Sequence, residues 1–146
     1  MRILLILIVT CFLSFPSFGV DVDIKSDEWR KLDLPNRFPQ TFFVSNEQLP
    51  MYFETGENSN ELIDFLVGLR KGEVSADIDD DDKFKINKMM ALIFQTVSDA
   101  NKNESGHYLI NVSVSKVFDC KPCTEQKKYI EILNLNDINL INIYLI

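Results

Sequence analysis

The chain has 146 residues, of which 46% are hydrophobic and 25% charged. It is long enough to bury a core without metal support and too apolar to be a disordered segment. Its formal charge of −7 repels phosphate backbones, which excludes nucleic acid as the expected partner and suits a basic protein instead.

Residues 1–19 read as a leader separate from the folded domain. Arg2 supplies a minimal positive start, Ile3 to Leu13 is almost wholly apolar, Pro16 breaks the run, and Ser17-Phe18-Gly19 offers small residues for cleavage. The pattern predicts a cleaved signal peptide and a single domain from Val20 to Ile146. The apolar run is short for a bilayer span, so no transmembrane segment is expected once it is removed. Lipidation of Cys11 is the rival, but Thr10 stands where that signal needs Gly, Ala or Ser. Loss of Arg2 takes the charge from −7 to −8. Loss of Cys11 leaves an even pair, Cys120 and Cys123, in an oxidising compartment, periplasmic or extracellular.

In chain order, Val20 to Asn36 is polar with Trp29 as its apolar anchor, and Ser26-Asp27-Glu28 opens a short helical turn running to Leu32. Pro35 and Pro39 bracket an extended crossing segment. Thr41 to Val44 and Met51 to Thr55 predict a β-hairpin closed over Ser45 to Pro50. Asn58 with Glu61 resembles a capping box, and Leu62, Phe65, Leu66 and Leu69 form one helical stripe that Gly72 terminates. After an acidic loop, a second helix runs from about Lys83 to Lys102, with Ile86, Met89, Met90, Ile93, Val97 and Ala100 on its inner face.

From Tyr108 the period becomes two. Tyr108, Ile110, Val112 and Val114 point one way. His107, Asn111, Ser113 and Ser115 point the other, which predicts an antiparallel strand with one wet face. A bulge or bend is expected near Lys116. Lys127 to Leu135 reads as a returning strand, Asn136-Asp137 as a turn, and Ile138 to Ile146 as a third strand in a covered position. The expected fold is α+β: an N-terminal hairpin, two helices, and a C-terminal three-stranded antiparallel meander against which the helices pack.

Cys120-Lys121-Pro122-Cys123 resembles the C-x-P-C active-site motif of the thioredoxin family. The resemblance implies Cys120 as a nucleophilic thiolate at a helix N-terminus and Cys123 as the resolving thiol. A helix from Thr124 to Leu133, with Tyr129, Ile130 and Leu133 on one face, would accommodate it. Against it, that family places the motif early and needs a cis-proline opposite it later in the chain. Here 23 residues follow Cys123 and no proline follows Pro122. The reading favoured from sequence is a structural disulfide closing a tight turn between two strands.

Other constellations are weaker. Cys120, Cys123, His107 and Asp119 could form a zinc site only without the usual second ligand motif. Asp77, Asp79 and Asp81 imitate the opening of an EF-hand loop, but Asp82 replaces its glycine and Lys88 its closing glutamate. These aspartates fit better as a helix N-terminal cluster. Asn103 and Asn111 head glycosylation sequons. No catalytic residue, metal or cofactor is assigned, and no binding residues are identified. The expected function is an exported, non-catalytic binding or inhibitory protein, akin to an immunity or envelope-accessory protein if bacterial. The alternatives are a thiol–disulfide oxidoreductase and a weak calcium binder.

Overall fold

Val20-Asp21-Val22-Asp23-Ile24 alternates apolar and acidic residues, and strand β1 (Val20–Ile24) follows from it, burying Val22 and Ile24. The computed structural model describes residues 19–75, 77–97, 106–115, 118–133, 135 and 138–146. Most of the expected leader, Ala100, the Asn103 sequon, the bend near Lys116 and the turn at Asn136-Asp137 lie outside them. After β1 come α1 (Ser26–Arg30), β2 (Gln40–Val44), β3 (Pro50–Thr55), α2 (Ser59–Lys71), α3 (Asp80–Thr96), β4 (His107–Val114), α4 (Lys121–Glu131) and β5 (Ile138–Leu145). The fold is α+β, as expected, but with four described helices and a five-stranded mixed sheet.

The sheet order is β1-β5-β4-β2-β3. The β2–β3 hairpin forms as predicted, with Phe42 opposite Phe53, and β4 pairs antiparallel with β2. The C-terminal meander does not form. Residues Lys127 to Glu131, read as strand, belong to α4, and β5 runs parallel to β4 with Leu109 opposite Leu140. Two adjacent parallel strands need a long crossover, and α4 supplies it. β1 then adds in parallel to the other side of β5, Val22 opposite Ile143, so β5 is covered on both edges.

Helices cover both faces of the sheet. On one, α1 and α3 bring Trp29, Ile86, Met89, Met90 and Ile93 onto Phe42, Ile110, Val112, Ile141 and Ile143. On the other, Leu62 and Leu66 of α2 and Ile130 of α4 pack on Phe43, Leu109 and Leu140. The face of β4 expected to be wet is therefore covered: Asn111 is 1% and Ser113 5% exposed. Burial of Asn111 in a central strand also closes that sequon to a glycosyltransferase acting on the folded chain.

Helix ends follow their local chemistry. Gly72 takes a left-handed φ of 69° after α2, and its N–H bonds back to Gly68 and Leu69. α3 starts three residues earlier than predicted because Asp79 caps it, its carboxylate accepting from the Asp82 N–H at 2.8 Å. A cap of this kind is worth about 1 kcal/mol. Asn58 precedes α2, but its side chain makes no cap and is used elsewhere.

Candidate functional site: a disulfide at the start of a helix

Cys120 and Cys123 are joined in a disulfide with Cα atoms 5.2 Å apart. The pair does not close a turn between strands. Cys120 is the N-cap of α4 and Pro122 lies in its first turn, where a missing N–H costs nothing. The Cys123 N–H donates to Cys120 Sγ at 3.3 Å, and the Thr124 N–H bonds to the Cys120 carbonyl at 3.0 Å. A sulfur at this position faces free N–H groups and the positive end of the helix dipole, the setting that stabilises a thiolate. Cys120 is partly exposed, whereas Cys123 is 5% exposed.

The pair lines an open cleft of about 300 Å³ at the C-terminal end of β4, shared with Ser113, Phe118, Lys127 and Tyr144. Phe118 stands at its edge, 71% exposed. Lys127, one turn beyond Cys123, donates to the Tyr144 hydroxyl at 2.7 Å, and its Nζ is 3.9 Å from Glu131. The bond to Tyr144 holds the ammonium above its ordinary pKa against the opposing effect of burial, helped by the charges of Asp21 and Glu131.

A proline with a cis peptide is present, but upstream of the motif. Phe38–Pro39 is cis and immediately precedes β2. Because Gln40 pairs with Val112, Pro39 lies at the same end of the sheet as the disulfide.

Beneath α4 lies a buried polar network that has no sequence motif. Gln126 is 0%, Thr41 0% and Asn58 3% exposed. Gln126 Oε1 accepts from the Asn58 N–H at 3.1 Å, while its Nε2 donates to Asn58 Oδ1 at 3.0 Å and Thr41 Oγ1 at 3.2 Å. Asn58 Nδ2 completes the set by donating to Thr41 Oγ1 and the Gly56 carbonyl. The Tyr52 hydroxyl donates to Asn58 Oδ1, and burial, with Glu54 and Glu61 adding to it, pushes that phenol well above its usual pKa. The network joins the cysteine helix to β2 and to the start of α2.

The remaining candidates are dispersed. His107 opens β4, where its Nδ1 accepts from the Asn46 N–H and its ring stacks on Phe43. An eight-residue strand separates it from the cysteine end, roughly 23 Å, so His107 and the Cys pair cannot share a zinc ion. Asp79 caps α3, and Asp81 pairs with Lys85 at 2.7 Å, raising the lysine's pKa chiefly through that hydrogen bond. Among the described residues, no three His, Cys, Asp or Glu side chains converge as a metal site. No described helix is long and apolar enough to cross a membrane. Comparison with family models, curated proteins and solved structures found no match to this chain.

Proposed function

We propose that this chain is an exported thiol–disulfide exchange protein working through Cys120 and Cys123. The observation that carries the reading is the asymmetry of the pair. Cys120 caps α4 in an open cleft, while Cys123 is buried within the first turn. An accessible sulfur at a helix N-terminus is both the better thiolate and the better leaving group, and the buried neighbour is placed to resolve the mixed disulfide. The helix setting also weakens the case for a purely structural bridge. A bridge spanning three positions removes little chain entropy, so its stabilising role would be small.

In the reduced protein, Cys120 is expected to titrate near or below pH 7, well under the unperturbed value of about 8.5. Iodoacetamide at pH 6 should therefore alkylate Cys120 selectively, as read by peptide mass, and glutathione should equilibrate with the disulfide. A thiol titrating at about 8.5 or above, with a disulfide inert to glutathione, would instead leave a non-catalytic binding protein as the better reading. The exposed Phe118 beside the pair is the feature that favours that second reading.

Export belongs to the proposal because a disulfide of this kind persists in an oxidising compartment. β1 begins at Val20, so cleavage after Gly19 would leave the edge strand whole. Intact mass of the secreted form should correspond to a chain starting at Val20. An acylated form retaining Cys11 would overturn the cleavage site.

A further inference from the structure

We propose that Lys127, steadied by Tyr144, is a positioning residue that lowers the pKa of Cys123 and so sets the pH range in which the mixed disulfide resolves. The inference rests on the exchange reading and assigns the second half of that chemistry. The Cys120 thiolate attacks a disulfide RS–SR, forms Cys120–S–S–R and expels RS⁻. The Cys123 thiolate then attacks Cys120 Sγ, re-forms the protein disulfide and expels the second RS⁻, and both leaving thiolates take protons from solvent. Two protein thiols are oxidised and one external disulfide is reduced.

The second step needs Cys123 as a thiolate, and its surroundings oppose that. Cys123 is 5% exposed, and burial raises a thiol's pKa. It also sits deeper in α4 than the N-cap position that favours Cys120. The compensating charge is Lys127, four residues on and hence on the same helix face, lining the same cleft. Among the described residues, the groups facing Lys127 are Tyr144 on β5, Glu131 on α4 and, through its charge, Asp21 on β1. Glu131 at 3.9 Å pairs only loosely, and the Tyr144 hydroxyl that accepts from Lys127 lines the cleft itself, so the ammonium is held at the cleft wall. A cation lining the same cleft as a thiol favours the thiolate and so lowers its pKa.

The test uses two readouts. In a Cys120→Ala background, thiolate absorbance titrates Cys123 alone, independently of exchange. Lys127→Met should raise that pKa by about one unit and Lys127→Arg should restore it. In the full protein, mixed-disulfide resolution after a pulse of glutathione disulfide should slow about threefold at pH 7 in Lys127→Met. The tenfold loss of thiolate is partly offset by a more nucleophilic sulfur. Above the pKa the order reverses, and Lys127→Met becomes the faster protein. A structural defect would slow it at every pH. An unchanged Cys123 pKa, or a uniform slowing, overturns the role of Lys127. A wild-type protein that forms no mixed disulfide overturns the exchange reading, while the Cys123 titration still reports on Lys127.

Discussion

Gln126→Leu should cost about 2–3 kcal/mol, because it strips a buried backbone donor of its partner. The side chain is fully buried, and its Oε1 accepts from the Asn58 N–H at the mouth of α2. Leucine fills the volume but offers no acceptor. Asn58 Oδ1 keeps the Tyr52 hydroxyl and Thr41 Oγ1 keeps Asn58 Nδ2, so the amide N–H bears most of the loss. For a chain of this size the melting temperature should fall by about 4–12 °C. Glu125→Leu, on the exposed side of the same helix, should stay within about 0.5 kcal/mol and serves as the control. Equal effects of the two substitutions would mean that the network contributes nothing beyond helix propensity.

Phe42→Ala is expected to cost more, about 3–5 kcal/mol. Phe42 is 0% exposed at the middle of β2, opposite Phe53 on one side and Ile110 on the other. Its ring stacks on Phe53 with centroids 4.5 Å apart and planes 4° from parallel. The hairpin and β4 hold the backbone on both edges, so the cavity cannot close by strand movement, and a poorly relaxing cavity is the costly kind. Guanidinium denaturation measures the loss directly. A cost below about 2 kcal/mol would show that α3, with its Met89 and Met90, slides in to fill the space.

These two positions differ in how far they could be read from sequence. Phe42 lies in a β-rich run between turn-forming residues, and that hairpin was legible, as were α2 and α3 from their stripes. Gln126 carries no such mark: a glutamine between Glu125 and Lys127 looks like helix surface. It is buried only because α4, α2 and β2 meet there. β1 is written in the strict alternation of Val20, Val22 and Ile24 with Asp21 and Asp23, but the run is short and sits in the polar stretch from Val20 to Asn36. α4 was obscured by Tyr129, Ile130 and Ile132, which favour strands locally until tertiary packing decides otherwise. Parallel pairing of β4 with β5 is invisible to periodicity, since alternation fixes faces but not direction. The motif itself was visible at Cys120 and Cys123. Its setting depended on the segment after it being helix, and on a proline lying at the same sheet end from far upstream.

The place of β5 has a consequence for how this polypeptide is made. Asn142 on β5 donates to Asp21 on β1 across 121 positions of the chain, and β5 also forms the full parallel ladder with β4. A ribosome therefore delivers β1 more than a hundred residues before the strand it pairs with. Until then the emerging hairpin and β4 expose an open edge, a surface that holdase chaperones bind and that aggregates if left uncovered. Closure of the sheet is therefore a late event in synthesis, timed by the release of β5 rather than by the folding of the hairpin.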